Sequence, residues 1–323
     1  EQYAMPVFYH DVMYRENTEE KDAAFLKLYD GHDWKWFAVR LKHTDMEYLR
    51  KHWSGKKASA PTLEKKHDKY FLRFTYAEEV SLNRTPVKEQ TICSVDLGIN
   101  TDAVCTIMRP DGTILGRKFI NFPSDKDRMY RVLGRIRRFQ REHGSRQVQG
   151  RWAYAKRLNT ELGKKIAREI VFYASENRAD VIVFEYLEMK GKLSGKKKQK
   201  LQMWRKRDIQ KRCGQQAHRK GIRISRICAW NTSRLAFDGS GKIDRDIQDH
   251  RLCTFQNGKR YNCDLSASYN IGARYFIREI LKPLPATERS LLEAKVPAVK
   301  RRTSCVYADL RELISEMELR KAA

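Results

Sequence analysis

Ser94-Val95-Asp96-Leu97-Gly98-Ile99-Asn100 is the stretch from which the fold of this chain is read. An apolar run starting at Thr91 ends on an acid, and a glycine turn follows at once. A second strand is expected over Ala103–Met108. Pro110-Asp111-Gly112 forms a turn, and a third strand covers Thr113–Phe122. Three strands joined by short turns predict an antiparallel meander. Downstream, Asp180–Leu187 (DVIVFEYL) is apolar and β-branched without interruption, the pattern of a strand buried on both faces. Ile222–Ala229 reads as a further strand.

Helices are predicted between and after these strands. Over Asp125–His143, Met129, Leu133 and Ile136 share one stripe, while Arg128, Arg131, Arg135, Arg138 and Arg141 fall largely elsewhere. Over Trp152–Asn177, Leu158, Leu162, Ile166, Ile170 and Tyr173 recur at helical spacing. Leu201–Lys220 reads as a helix behind a basic loop. Residues 230–263 read as irregular and rich in Gly and Asp. Asp264 opens a helix through Ile280, and 287–323 form a helical, charged tail. Residues 1–90 read as a small β-rich domain. Strands are expected at Pro6–Tyr14, Trp34–Leu41 and Tyr70–Tyr76, with a turn at Asp30–Asp33 and a short helix near Thr44–His52. The divisions are therefore 1–90, 91–229, 230–263, 264–282 and 283–323.

Charge narrows the function. Lys and Arg number 66 against 40 Asp and Glu, a formal charge of +26 over 323 residues. So large an excess is an electrostatic footprint for phosphate. No apolar run approaches the ~20 residues of a spanning helix, which argues against a membrane partner. The seven cysteines (93, 105, 213, 228, 253, 263 and 305) show no disulfide framework and read as reduced thiols of a cytosolic protein. Basic residues concentrate in two places. One is the Arg128–Arg141 helix. The other is Lys196–Arg212, with nine basic residues and one acid, including Lys196, Lys197, Lys198, Arg205 and Arg207. Both suit the backbone of RNA or an RNA–DNA duplex, although a solvated helix face would carry similar charge. Trp152 and Trp204 either stack on bases or anchor the core.

Three acids sit where an acid is costly. Asp96 ends an apolar strand, Glu185 lies inside VIVFEYL, and Asp264 starts a helix. Taken singly, Asp264 could cap its helix and Asp96 could be a turn acid. Glu185 is the hardest to explain structurally, because a buried ionised carboxylate needs a cation. Clustered, the three would repel one another without divalent cations. Two Mg²⁺ (or Mn²⁺) about 3.5–4 Å apart would turn them into ligands for phosphodiester hydrolysis.

The ordered set SVDLGIN, IVFEYL and Cys263–Tyr275 (CDLSASYNIGARY) resembles the split RuvC nuclease of TnpB proteins, transposon-associated relatives of type V CRISPR effectors. The resemblance spans roughly residues 91–280. It implies an α/β fold: an RNase H-like (RuvC) mixed sheet with flanking helices, plus an N-terminal β-rich wedge-like domain. It implies Asp96, Glu185 and Asp264 as catalytic and metal-binding residues. It also implies an RNA-guided DNA endonuclease of prokaryotic cytoplasm, with guide RNA and target DNA as partners. Trp230-Asn231-Thr232-Ser233-Arg234 is similar to the family's Thr-Ser segment. Two features depart from the pattern. The family's paired Cys-x-x-Cys motifs are missing from 235–258, so no zinc is expected, and packing or turns must hold that loop. The chain is also short for the family and lacks an initiator Met. The recognition lobe is then lost, lies upstream, or comes from a second chain. Two other functions compete: a family-derived guided DNA binder or repressor that does not cut, and an unguided RNase H- or resolvase-like nuclease.

Overall fold

The computed structural model describes residues 6–66, 68–144, 148–186, 206–301 and 303–322. They divide into two compact units, Glu1–Val80 and Ser81–Ala323.

In the first unit, β1 (Tyr14–Glu16), β2 (Ala23–Tyr29) and β3 (Trp34–Arg40) pair antiparallel in that order. Helix α1 (His43–Trp53) follows, then a hairpin of β4 (Thr62–Lys66) and β5 (Lys69–Arg73). Phe8, Tyr14, Ala24 and Leu26 form the buried core, with Leu63, Leu72 and Phe74 packed on it. The Asp30 carboxylate makes the predicted turn by accepting from the His32 and Asp33 amides. Two expectations are corrected. Pro6–Tyr14 is not a strand: Asp11 takes a left-handed φ of 61°, Met13 N–H donates back to Tyr9, and only single bridges remain. Conversely, Ala23–Tyr29 (AAFLKLY) is a full strand. Its Ala-Ala start and Lys27 weaken the β signal, yet Tyr14, Ala24 and Leu26 need a common face.

The second unit is built on one five-stranded mixed sheet. Its strands are β6 (Ile92–Asp96), β7 (Ala103–Met108), β8 (Ile114–Ile120), β9 (Val181–Tyr186) and β10 (Arg223–Cys228), in the order β10-β9-β6-β7-β8. β6, β7 and β8 form the predicted antiparallel meander, while β6–β9 and β9–β10 are parallel. Helices α2 (Pro123–His143) and α3 (Gln149–Glu176) connect β8 to β9, and α4 (Lys206–His218) precedes β10. The small strands β11 (Asp244–Arg245), β12 (Leu252–Thr254) and β13 (Arg260–Asn262) pair antiparallel ahead of α5 (Cys263–Leu281), α6 (Ala286–Lys295) and α7 (Tyr307–Ala322).

Strand alternation sorts the central sheet into two cores. Cys93, Val95, Ile182 and Phe184 face α3 and α4, against Ile166, Ile170, Ile209 and Cys213. Ile92, Val181 and Val183 face α5, against Ile271, Phe276 and Ile277. Of the 19 residues of α5, 15 are buried. An all-round buried helix is a central element, not a surface one. Gly272 brings it close to the sheet: a Cβ there would lie 2.9 Å from the Met108 side chain and 3.1 Å from Ser94 Oγ. A buried polar seam crosses the same contact, where the Thr106 and Ser268 hydroxyls hydrogen-bond at 2.6 Å.

The remaining differences from the sequence reading are local. Residues 81–90 belong to the second unit, not the first: Asn83 N–H donates to Gly221, and Thr85 Oγ1 donates to Asp180, which also accepts from Thr91 N–H. The 230–263 stretch, read as irregular, holds the small β11–β13 sheet around Ala236, Cys253, Phe255 and Cys263. Helix α5 is capped by Asn262, whose side chain accepts from Leu265 N–H, and Asp264 lies in its first turn. Trp152 is partly buried against Met129, Ile136 and Ala155. Among the described residues no helix is long and apolar enough to cross a membrane.

The Gly272 contact predicts a contrast between two glycines. Gly272→Val overpacks the α5–sheet seam and lowers stability by about 1–3 kcal/mol. Gly134→Ala, on an exposed part of α2 with open space around its Cα, raises it by about 0.5–1 kcal/mol. Urea denaturation of both variants measures this. Equal effects would refute the close approach.

Candidate active site

The geometry of the central sheet explains why three distant acids meet. Val95 pairs with Phe184 across the parallel β6–β9 ladder. The next residue on each strand is Asp96 and Glu185. Both alternate onto the α5 side of the sheet, in phase with Ile92, Val181 and Val183. The first turn of α5 supplies Asp264. Its Oδ2 lies 3.7 Å from where a Cβ on Gly98 would sit, directly under the turn that follows Asp96. That turn needs glycine, because a Cβ would also run into the Thr101 carbonyl. Asp96 and Glu185 are 7% and 8% exposed, too little for water to solvate their charges.

The electrostatics follow. Burial raises the Asp96 carboxyl well above the ordinary carboxylate range, and the charges of Glu185 and Asp264 push it the same way. Burial likewise raises Glu185, opposed by the Thr232 hydroxyl and the positive fields of Arg274 and Lys206. It raises Asp264, opposed by a hydrogen bond from Thr101 and by Arg245. The positive fields of Arg245, Arg274 and Lys206 offset this only in part, since the carboxyls stay raised. Two other buried acids of this unit are held one by a cation and one by two neutral donors. Asp102 pairs with Lys126 at 3.0 Å and accepts from Phe122 N–H, and Asp180 is tied to Thr85 and Thr91.

Residues outside the sequence motifs hold this site. Thr232 is 1% exposed and its hydroxyl donates to Glu185. The Thr232 loop is itself clamped by α5. Asn270 donates to the Thr232 and Leu235 carbonyls, and Arg274 donates to those of Cys228, Trp230 and Cys305. Arg245, on β11, lends positive potential to Asp96 and Asp264 and donates to the Ser233 carbonyl. The Thr-Ser segment marked Thr232 in the sequence. Nothing local marked Arg245, which lies in a mixed Asp-Arg run whose placement depends on the β11–β13 sheet.

The donor set consists of hard carboxylate oxygens, the ligands that suit Mg²⁺ or Mn²⁺. Among the described residues, no three His, Cys, Asp or Glu side chains converge on a single ion. Glu185 is turned to Thr232 and Asp264 to Thr101, as expected of repelling charges that each take the nearest donor. Zinc finds a poorer set. Cys253 and Cys263 lie together in an apolar cluster, burial pushes the Cys263 thiol up to about 12, and Cys228 and His250 are exposed.

The predicted nucleic-acid residues are placed as follows. Arg128, Arg131, Arg135 and Arg138 are exposed on α2, and Arg207 is exposed on α4. None of the five forms an ion pair among the described residues, so each is available to a phosphate. Arg128 donates to the Tyr154 hydroxyl at 2.6 Å, steadied by α3. Lys196, Lys197, Lys198 and Arg205, with Trp204, lie outside the described residues.

No family model matches this sequence, and no curated protein matches it. Solved structures with a weak overall likeness are type V CRISPR effectors. A Cas12f1–sgRNA–target DNA complex is 18% identical, with a TM-score of 0.46 over 65% of this chain and 55% of that one. A Cas12i–crRNA–dsDNA complex is 10% identical, with a TM-score of 0.47 over 98% and 56%. CasPhi-2 (Cas12j) bound to crRNA is 12% identical, with a TM-score of 0.45 over 77% and 61%. The chain thus spans little more than half the length of these effectors.

The carboxylate cluster makes a stability prediction with a definite sign. A carboxyl whose folded pKa is raised contributes stability at low pH that is lost as pH rises through the folded pKa. Metal-free wild-type protein therefore loses stability as pH climbs above the ordinary carboxylate range. Asp96→Asn removes one buried charge and, at neutral pH in EDTA, is more stable than wild type by about 1–3 kcal/mol. The difference shrinks on acidification. Chemical denaturation across pH measures it, and a variant less stable than wild type at neutral pH would show that Asp96 is structurally neutralised.

Proposed function

We propose that this chain carries the nuclease domain of an RNA-guided DNA endonuclease of the TnpB kind. In this reading Ser81–Leu281 is an RNase H-like (RuvC) domain, 230–263 a degenerate ribbon, and the N-terminal unit wedge-like. The observation that carries it is the meeting of Asp96 and Glu185, buried on one face of the sheet, with the half-buried Asp264 of α5, their carboxyls raised despite the cations near them. A protein does not ordinarily gather three such acids for structure alone, because each adds a desolvation cost that apolar residues would avoid. The mixed sheet β10-β9-β6-β7-β8, a meander followed by two parallel strands with helices on both faces, suits this reading.

Asp96, Glu185 and Asp264 would hold divalent cations, which when bound activate a water and stabilise the leaving oxygen of a phosphodiester. The protein's own residues do the rest. Thr232 and Thr101 hold Glu185 and Asp264 in place, and α5 fixes the Thr232 loop through Asn270 and Arg274. Arg245, whose field reaches Asp96 and Asp264, would neutralise a phosphate oxygen there. The unpaired arginines of α2, with Arg207, would hold the duplex by its backbone. Base pairing with a guide RNA would select the target.

One observation favours a second reading, a guided DNA binder that does not cut: the three carboxylates do not converge on one ion. An unguided nuclease is the third, and it would carry no RNA.

One experiment separates these readings. The protein is purified with its bound RNA, that RNA is sequenced, and a matching DNA target is offered with Mg²⁺ or Mn²⁺. Wild type cleaves, leaving 5′-phosphate and 3′-hydroxyl ends. Asp96→Ala, Glu185→Ala and Asp264→Ala each lose at least about 10²-fold in rate. Mg²⁺ raises the thermal midpoint of wild type but not of Asp96→Asn. Target binding with no cleavage and no metal-dependent shift selects the binder, and cleavage without RNA selects the unguided enzyme.

A further inference from the structure

The sheet of the first unit carries an unusual outer face. In the β1–β2–β3 register, Arg15 stands opposite Phe25, Lys27 opposite Trp36, and Tyr29 opposite Trp34. Directly opposed residues share a face. The other face holds Tyr14, Ala24 and Leu26 and forms the core. A solvated face should alternate to polar residues, but here four aromatic rings share it. Tyr29 is 57% and Trp34 51% exposed. Their rings are 5.8 Å apart, and the Arg15 guanidinium lies 4.5 Å over the Trp36 ring. The positions that this register puts on the outer face are residues 15, 23, 25, 27, 29, 34, 36, 38 and 40, and none is acidic.

We propose that this face is a stacking platform for unpaired nucleotides of the bound RNA. Its occupant must match flat apolar rings and fixed positive charges together. Unpaired bases on a phosphate backbone offer both. A duplex does not, since its bases are already stacked. An acidic protein surface would answer the cations but leave the rings without planar partners. Trp34 and Trp36 are two residues apart on one strand, about 6.8 Å, so successive bases have successive rings to meet. Assignment to RNA rests on the guided reading above, in which RNA stays bound throughout. The platform itself does not involve the carboxylate site.

The test uses the full chain and a 4-thiouridine-labelled, unstructured uridine oligonucleotide. Irradiation should crosslink it to the tryptic peptide 28–35, which contains Tyr29 and Trp34. Trp34→Leu/Trp36→Leu keeps apolar area but removes two stacking rings. It should lose that crosslink and bind the oligonucleotide about ten- to a hundred-fold more weakly. Trp34→Phe/Trp36→Phe, which keeps planar rings, should retain most of the binding. Adding salt should weaken both variants alike, because the phosphate contacts are untouched. Crosslinks confined to 81–323, Leu variants that bind like wild type, or equal competition by a duplex would overturn the platform. Equal competition by single-stranded DNA would overturn its assignment to RNA. Asp96→Asn serves as the control: it keeps the crosslink even if the nuclease reading fails, so the two ideas fail separately.

Discussion

Three carboxyl groups brought together, two of them buried, constrain the second unit more than any other feature. Coulombic repulsion in a low-dielectric interior is steep, and the fields of Arg245, Arg274 and Lys206 leave the three carboxyls raised. The surrounding structure is built to keep them there regardless. Two parallel strands end together, so that neighbouring positions in the ladder become neighbouring acids. Helix α5 is buried on nearly all sides and starts at the same edge. Were the helix free to slide, the charges would separate. The Gly272 contact and the Thr106–Ser268 bond oppose that slide.

The support around the acids is polar but economical. Asn270 and Arg274 bond to backbone carbonyls of the 228–235 loop and so turn a flexible connection into a fixed bracket for Thr232. Arg274 also feels the charge of Glu185. One helix therefore supplies an acid, the clamp on its neighbour's hydrogen-bond donor, and part of the compensating field. Such a site stores unfavourable energy that a bound cation and phosphate would relieve, the usual exchange of stability for function.

Charge is distributed to complement this arrangement. Asp96 and Glu185 are inside with Asp264 beside them, while the unpaired arginines of α2 and α4 are outside and spread along helices. A polyanionic strand is attracted to the surface over a distance set by salt. At the carboxylate edge, in the proposed function, it would meet its own sign of charge, and divalent cations would offset that. The proposed stacking on the aromatic sheet of the first unit would add a contact that is not electrostatic and so would survive screening.

Much of this was legible in the chain. The meander, the long helices, the buried strand around Glu185 and the helix after Cys263 each follow from local periodicity and turn residues, which act over a few residues. So did the suspicion about the three acids, because an acid within an apolar run is anomalous wherever the run folds. The sequence could not show that Ala23–Tyr29 is a strand, since only its partners on either side make it one. Nor could it show that 230–263 folds as a small sheet around two buried thiols, or that this sheet carries Arg245 toward Asp96. Those outcomes depend on contacts between residues far apart in the chain. Amino-acid order by itself determined which side chains must be buried and at what period. Tertiary packing alone decided which charges would share a space, because proximity across a sheet is set by register and helix docking, which no local pattern encodes.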